Sequence, residues 1–259
     1  MPEGHTIHRA AGEHRRLLVG HDVSITSPQG RFDDGAALLD GKACRSVEAF
    51  GKHLFYGFDG ALTLHVHLGL FGRIRKQKLP ARPPRGAVRV RLIGPTHLID
   101  INGPTICTVR DPESVNSIIG RIGPDLIRDE ADPERAFRRI EKSRAPIGKL
   151  LMDQSVIAGI GNIYRTEILW RQGIHPDIPG RSLSREQLEK LWADAKALLA
   201  IGVRYNAIIT VDDLPKGRRR LRERVNIFGK PSCPRCAAAV TAMDIAGRRA
   251  FICETCQPL

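Results

Sequence analysis

Alternating apolar and polar residues in the first half of the chain predict short β-strands. In LTLHVHL, at 62–68, the aliphatic side chains face a core, while His65 and His67 share the opposite face. Asp59-Gly60 joins this stretch to the apolar run HLFYGF and predicts a hairpin turn. AVRVRL alternates in the same way with its two arginines outward, and THLIDI and TICTV add two strands. Many short strands with Gly and Pro between them favour a β-sandwich.

Helical spacing opens the chain in TIHRAAGEHRRLL and dominates the second half. In DPERAFRRIEK, Asp132 is the expected N-cap and Pro133 the first helical residue. SREQLEKLWADAKALLAIG has the clearest apolar stripe, with a capping box from Ser184 and Gln187 and an expected end at Gly202. Strands followed by helices predict an α+β fold with two domains and a boundary near residues 115–130.

The charge of the chain points to an anionic partner. Its 259 residues contain 41 Lys and Arg against 28 Asp and Glu, a net charge of +13. Nucleic acid is the leading candidate because phosphate contacts use many cations, although a merely basic surface is an alternative. No apolar run is long enough to span a bilayer and no signal peptide begins the chain, so we expect a cytoplasmic protein with no membrane partner.

One segment, 216–224, concentrates this charge. It is either a solvated charged loop or a loop that becomes ordered on a phosphate backbone. Its cations are Lys216, Arg218, Arg219, Arg220, Arg222 and Arg224.

Two C-x-x-C pairs near the C-terminus, sixteen residues apart, predict a metal site. One tetrahedral zinc ion would be bound by Cys233, Cys236, Cys253 and Cys256. Four thiolates leave no position for water, so the zinc would be structural, and a redox role is the less economical alternative. Gly247 suits a hairpin turn between the pairs. Arg248 and Arg249 would then either contact DNA phosphates or be ordinary exposed turn residues.

Two other positions are candidates for phosphate contacts. Gly159 and Gly161 bracket a turn before a predicted helix that starts at Asn162. Free N–H groups at a helix start, together with the Asn amide, suit a phosphate oxygen, but such glycines also occur for packing alone. Lys52 precedes the hairpin strand, where a lysine is usually solvated unless phosphate approaches that edge.

Taken together, four motifs resemble the formamidopyrimidine-DNA glycosylase / endonuclease VIII family. They are MPEGH, GKHL, IAGIGNIYRTE and the four-cysteine ribbon, in the family's order over nearly the whole chain. The resemblance implies an N-terminal β-sandwich with flanking helices, then a helical domain with a helix–two-turn–helix motif and a zinc finger. The expected domains are a catalytic sandwich at 1–115, a linker at 116–130, the helical domain at 131–229 and the zinc-finger hairpin at 230–259.

The resemblance gives the N-terminus a catalytic role. After removal of methionine, the secondary amine of Pro2 would attack C1′ of the damaged nucleotide, expel the base and form an iminium. β-Elimination, with or without δ-elimination, would then cut the strand. Glu3 would assist ring opening and proton transfer. The alternatives are an incidental N-terminus and a non-catalytic relative that binds damaged DNA.

The resemblance also assigns DNA contacts. Lys52 corresponds to the family's hairpin lysine, which contacts the phosphate near the lesion, and Asn162 to its phosphate-binding asparagine. Arg248 matches the finger arginine, with Arg249 as the alternative if the turn is shifted by one residue.

The branch of the family is indicated by a departure from its purine-directed pattern. That branch carries Asp-Pro-Arg-Arg-Phe, whose Arg-Phe pair reads the base opposite the lesion, whereas this chain has RDPESVNSIIG at 110–120. We therefore expect relaxed opposite-base selectivity and tolerance of single-stranded or bubble DNA. YRTEILW and GLFG are closer to the endonuclease VIII branch, in which Leu70, with Phe71, would be a wedge that fills the gap left by a flipped nucleotide. Strand-end packing is the alternative role for Leu70.

These comparisons favour a monomeric glycosylase and AP lyase that acts on DNA with oxidised pyrimidines or abasic sites. It would hold one structural zinc ion and no organic cofactor. The main alternative substrate is 8-oxoguanine or formamidopyrimidine.

Overall fold

Strands with period-two alternation dominate the first of two structural units, Met1–Arg121. The computed structural model describes residues 2–213 and 220–259. The strands of the first unit form two antiparallel four-stranded sheets, with strand orders β1-β6-β7-β5 and β2-β3-β4-β8. The strands are β1 (Ser24–Thr26), β2 (Cys44–Phe50), β3 (His53–Phe58), β4 (Leu62–His67), β5 (Arg73–Lys78), β6 (Val88–Ile93), β7 (His97–Asn102) and β8 (Ile106–Arg110).

Both sheets contribute side chains to one core, as a sandwich requires. Leu54 and Leu64 come from one sheet, and Leu92 and Ile101 from the other, all fully buried. Helix α1 (Gly4–Leu18) packs on β2 and β3, and α2 (Asp33–Leu39) packs near β1. The predicted fold class, α+β with an N-terminal sandwich, is confirmed.

The predicted hairpin between β3 and β4 is present. Its loop is residues 59–61, where Gly60 (φ 78°) and Ala61 (φ 57°) have left-handed backbone. The sequence pattern missed β1, β2 and β5, and also α2 and α3 (Pro112–Arg121). β5 reads RIRKQK and lies at a sheet edge, where side chains need not alternate in polarity.

Arg91 faces outward, as the alternation predicts, but it is buried. Its side chain points away from the sandwich core but is only 6% exposed. Arg91 Nε and Nη2 donate to the two carboxylate oxygens of Asp100 at 2.7 and 2.8 Å, and Nη1 donates to the carbonyl oxygen of Arg82 at 2.9 Å. The segment between β5 and β6 thus covers this face, which strand periodicity cannot reveal.

The second unit, Ile122–Leu259, contains the predicted helices. They are α4 (Pro133–Glu141), α5 (Ile147–Leu150), α6 (Asn162–Arg171) and α7 (Arg185–Tyr205), followed by β9 (Thr241–Ile245) and β10 (Arg248–Ile252). The Asp132 cap and the capping box of α7 are both formed. The expected end at Gly202 was wrong: α7 continues to Tyr205, because Asn206 (φ 51°) supplies the left-handed C-cap.

The predicted linker, 116–130, contains the last residues of α3 and the division between the units after Arg121. No helix in the described ranges has the length and apolar character needed to cross a bilayer.

Candidate functional site

Pro2 and Glu3 lie at the start of α1. Glu3 is the N-cap residue, with extended backbone (φ −121°, ψ 178°), and its carbonyl oxygen accepts from the N–H of Thr6 at 2.9 Å. The Glu3 side chain is fully buried, whereas Pro2 is half-buried. A buried carboxylate beside the predicted nucleophile is suited to proton transfer.

Lys52 occupies a two-residue hairpin turn between β2 and β3. Phe50 and His53 are paired on either side of the turn, and Gly51 has left-handed backbone (φ 58°), which suits glycine. The β2–β3 hairpin packs against α1, the helix that Pro2 and Glu3 precede. The first unit therefore carries all three predicted catalytic residues at the ends of elements that contact one another.

Three histidine rings form a cluster beside Lys52. His53 Nδ1 lies 2.8 Å from His65 Nε2, and the ring centroids of His53 and His67 are 4.8 Å apart. Burial lowers the pKa of His53 to about 3, with further contributions from His67, His65 and the charge of Lys52. Burial, then the charge of Arg110, lowers the pKa of His65 to about 4. The cluster is therefore uncharged at neutral pH. The shared face was predicted, but its burial was not.

Leu70 and Phe71 lie in a tightly built turn between β4 and β5. The N–H of Gly69 donates to His67 Nδ1 at 3.2 Å, and the N–H of Gly72 donates to the carbonyl oxygen of Leu68 at 3.0 Å. A Cβ at Gly69 (φ 64°) would lie 2.3 Å from a Thr105 methyl carbon, so glycine is required there. The turn leaves Leu70 39% exposed and Phe71 86% exposed. Two apolar side chains are thus presented to solvent on a fixed support.

Asn162 is the first residue of α6, as predicted, and contacts the β9–β10 hairpin. Its Nδ2 donates to the carbonyl oxygen of Arg249 at 2.9 Å, and its Oδ1 accepts from the guanidinium of Arg165. The hairpin turn contains Ala246 (φ 56°) and Gly247 (φ 73°), so the turn glycine was predicted correctly. The structure therefore brings together Asn162 and both candidate finger arginines.

Arg165 was not predicted from the sequence. Its side chain is fully buried, and its guanidinium donates to the carbonyl oxygens of Gly148, Ile245 and Arg248, each at 3.3 Å. This cation ties α5, α6 and the hairpin to one another. The available signal was an arginine placed three residues after Asn162, in the first turn of the predicted helix.

Glu167, two residues after Arg165 in α6, is a second buried charged residue that sequence reasoning missed. Its carboxylate accepts from Thr210 Oγ1 (2.6 Å), from Asn226 N (2.6 Å) and Nδ2 (3.0 Å), and from the N–H groups of Ile227 (2.9 Å) and Phe228 (2.7 Å). The carboxylate therefore holds the chain segment that leads into the cysteine ribbon.

The four predicted cysteines converge in the ribbon. All four Sγ atoms lie within 4.8 Å of one another, with Cys233–Cys256 at 3.8 Å and Cys236–Cys253 at 3.4 Å. A tetrahedral ion with Zn–S bonds of about 2.3 Å separates its sulfur atoms by about 3.8 Å. The donor set and its spacing fit such an ion.

Trp170 of α6 supports this cluster. Its indole N–H lies 3.4 Å from the Sγ of Cys233, and the guanidinium of Arg235 stacks 4.4 Å from its ring. Burial raises the pKa of the Cys233 thiol, but the N–H donors of Arg235, Cys236 and Trp170 outweigh burial and lower the pKa to about 6. A thiolate at this position is ready to bind a metal.

Three of the six cations of the predicted basic loop lie outside the described residues, namely Lys216, Arg218 and Arg219. Within the described part, Leu221–Glu223 form a short 3₁₀ turn and Arg224 Nη1 donates to the carbonyl oxygen of Ile208 at 3.3 Å.

Two family models match the chain. The formamidopyrimidine-DNA glycosylase N-terminal domain matches residues 1–101, and the formamidopyrimidine-DNA glycosylase H2TH domain matches residues 122–213. Together they cover most of both structural units.

Similar proteins include some named endonuclease 8 and others named formamidopyrimidine-DNA glycosylase. "Endonuclease 8 1" of Mycobacterium tuberculosis is 42% identical over 270 residues, which cover 99% of this chain and 100% of that protein. A formamidopyrimidine-DNA glycosylase of Chloroflexus aggregans is 31% identical over 286 residues, which cover 100% and 98%. A solved Lactococcus lactis Fpg, in complex with DNA that contains an abasic site, superposes with a TM-score of 0.84 at 23% identity over both full chains, which shows the shared fold.

Proposed function

The chain belongs to the formamidopyrimidine-DNA glycosylase and endonuclease VIII family, and from that premise we propose that it excises oxidised pyrimidines through an N-terminal proline iminium. The enzyme class predicted from the motifs, a DNA glycosylase with AP lyase activity that serves base excision repair, is confirmed by these relatives. The observation that carries the substrate proposal is the full-length identity of 42% to an endonuclease 8.

The proposed nucleophile is the amine of Pro2 after methionine is removed. An α-amino group has a pKa of about 7.7–8.0, so a useful fraction is neutral near pH 7. The amine attacks C1′, the base leaves, and the resulting iminium makes the C2′ proton acidic enough for β-elimination on the 3′ side, with δ-elimination on the 5′ side as the further step. The buried carboxylate of Glu3, adjacent in the chain, supports a role in ring opening and proton transfer.

The proposed phosphate contacts are Lys52, Asn162 and Arg248, with Arg249 as the alternative to Arg248. The uncharged histidine cluster leaves Lys52 as the cation of its turn. One N–H of the Asn162 amide donates to Arg249, so the second N–H is the one offered to a phosphate oxygen. Arg165 places a buried positive charge beneath this amide, which favours an anion there.

Leu70 and Phe71 are proposed to fill the space left by a flipped nucleotide. Their exposure on a rigid turn supports insertion into a base stack. At the position of the purine branch's Arg-Arg-Phe, which includes its opposite-base reader, this chain has Glu113, Ser114 and Val115 in the first turn of α3. This arrangement supports weak opposite-base selectivity and activity on single-stranded or bubble DNA.

The proposed metal is one structural zinc ion, bound by the four cysteines, with no organic cofactor. The proposal rests on the closed set of four sulfur ligands. We further propose that the enzyme acts as a monomer on chromosomal DNA, in the cytoplasm and associated with the nucleoid in a bacterial cell.

A panel of oligonucleotides tests the substrate proposal. Each carries one lesion, such as thymine glycol, a hydroxylated uracil, a hydantoin, 8-oxoguanine or an abasic site, in single- and double-stranded form. We expect faster incision at oxidised pyrimidines than at 8-oxoguanine, with end groups that distinguish β- from β,δ-elimination. The relatives named formamidopyrimidine-DNA glycosylases make purine lesions the second candidate substrate. Faster incision at 8-oxoguanine than at oxidised pyrimidines would replace the pyrimidine proposal with this one. Binding without incision of any lesion would indicate a non-catalytic relative.

A further inference from the structure

Residues 73–85, RIRKQKLPARPPR, form a positively charged segment that the proposed chemistry does not use. The segment carries six cations and no acidic residue. It includes β5, the edge strand of its sheet, and the connection to β6, and it begins two residues after Phe71. The cations are Arg73, Arg75, Lys76, Lys78, Arg82 and Arg85.

Neighbouring carboxylates do not neutralise five of these cations. Lys76 pairs with Glu13 at 3.0 Å. Arg75 is in register with Asp100, but both carboxylate oxygens of Asp100 accept from Arg91. The ion pairs in the described part of the chain include none of the other five cations, which are exposed. We call these five residues, Arg73, Arg75, Lys78, Arg82 and Arg85, the β5 surface.

The backbone that carries the β5 surface is fixed. Arg91, itself buried against Asp100, donates to the carbonyl oxygen of Arg82 at 2.9 Å. The N–H of Leu79 donates to the carbonyl oxygen of Thr96 at 3.0 Å, so the connection is held where it leaves β5. Cations on a supported backbone lose less conformational entropy when they bind than cations on an unsupported loop.

The spacing along β5 suits a nucleic-acid backbone. Arg73 and Arg75 are two residues apart on a strand, so they point to the same face about 6.8 Å apart. Successive phosphates of one DNA strand rise about 3.4 Å along the helix axis and also rotate about it, so the two arginines can each reach a different phosphate of the same strand. The β5 surface also continues directly from the Leu70–Phe71 turn.

We propose that the β5 surface binds the phosphate backbone of duplex DNA outside the lesion. It would set affinity and salt dependence without choosing the lesion, since phosphate contacts carry no sequence information. The proposal rests on the proposed function, in that Leu70 and Phe71 enter DNA at the lesion and so bring β5 to the flanking duplex.

The test compares two triple variants that lose the same charge. Arg75→Gln/Arg82→Gln/Arg85→Gln removes three cations of the β5 surface, and Arg31→Gln/Lys142→Gln/Lys196→Gln removes three exposed cations elsewhere. Equilibrium binding to a duplex of about 30 base pairs with a central abasic-site analogue is measured from 50 to 200 mM salt. Each lost phosphate contact lowers the slope of log K against log salt by about 0.9. We expect the magnitude of this slope to be smaller by about 2–3 in the β5 variant than in the control. At 50 mM salt the β5 variant should bind the duplex at least about tenfold more weakly than the control.

Four further measurements make the result decisive: binding to a shorter duplex, binding to single-stranded DNA, single-turnover incision and thermal unfolding. The difference between the variants should shrink on a duplex too short to reach past the lesion, and single-turnover incision at saturating enzyme should be equal in the two. Equal slopes and affinities in the two variants, with matching thermal unfolding, would overturn the proposal, as would a difference confined to single-stranded DNA. A slope difference in a protein that incises no lesion would keep the β5 surface and refute the proposed catalytic function instead.

Discussion

The two units hold their functional residues by opposite means. In Met1–Arg121, the candidate catalytic residues flank an apolar sandwich core, and the polar cluster beside Lys52 consists of histidines that burial keeps uncharged. In Ile122–Leu259, the candidate DNA contacts are held by two buried charged side chains, Arg165 and Glu167, and by the four-cysteine cluster. The stability of the first unit should therefore be unaffected by loss of the metal but should fall when its buried histidines are protonated. The stability of the second unit should depend on its metal and on the hydrogen bonds of its buried charged side chains.

Loss of the metal should produce the largest effect, confined to the second unit. Cys253→Ser should release the zinc, because three thiolates hold it far less tightly than four, and binding of a structural zinc ion contributes on the order of 10 kcal/mol to folding. Metal content should fall from one ion per chain to near zero. Hydrogen exchange should rise at 230–259 and stay unchanged in the sandwich. Free Cys107→Ser serves as the matched control. Normal DNA binding by metal-free protein would remove the ribbon from the DNA interface.

Acid should affect the sandwich through its histidines. His14 and His65 have a pKa lowered to about 4, and His53 to about 3, chiefly by burial, against about 6.5 when unfolded. The unfolded chain then binds more protons below pH 6.5, so stability is full above that pH and is lost as pH falls towards 4. The loss should be on the order of 3 kcal/mol for each ring by pH 4.

Urea unfolding between pH 7 and 4.5 checks this effect, with His65→Phe as the comparison. Acid also protonates the cysteines, so metal content is measured at each pH. Hydrogen exchange of the sandwich should show that the free energy of unfolding depends less steeply on pH in the variant than in the wild type. If the free energy of unfolding changed equally steeply with pH in the wild type and in the variant, His65 would not be buried in its neutral form.

Removal of the buried guanidinium should have a smaller effect in the second unit. Arg165→Met leaves the carbonyl oxygens of Gly148, Ile245 and Arg248 without this donor, which should cost about 3 kcal/mol. Because the hairpin then loses the guanidinium that ties it to α5 and α6, the affinity for abasic-site DNA should fall more than the rate of incision at saturation. Arg165→Lys should recover part of the affinity. Unchanged affinity in a folded Met variant would show that Arg165 does not position the hairpin.

Short-range signals predicted the parts of the fold that depend on near neighbours. The caps at Asp132 and Ser184, the turn at Gly247 and the start of α6 at Asn162 follow from local backbone chemistry. Cysteine spacing likewise predicted the metal cluster, because a tetrahedral ion restricts which spacings work.

Residues whose role depends on distant partners were missed or misplaced. The burial of Arg91 requires Asp100 and the connection near Arg82. Arg165 and Glu167 are recognisable only once the segments at 226–228 and 245–248 have folded against α6. A charged residue is predicted to be exposed unless its partners are known. The partners of these residues are up to 83 residues away in the sequence.

The central claim is that Pro2 attacks the sugar, and reductive trapping tests it most directly. Protein with a verified Pro2 terminus is incubated with abasic-site DNA and borohydride, and the cross-linked peptide is identified by mass spectrometry. The account predicts a covalent complex at Pro2, its loss in protein that retains Met1, and strong reduction in Pro2→Gly with DNA binding preserved. No trapped complex, or a cross-link to a lysine such as Lys52, would contradict it.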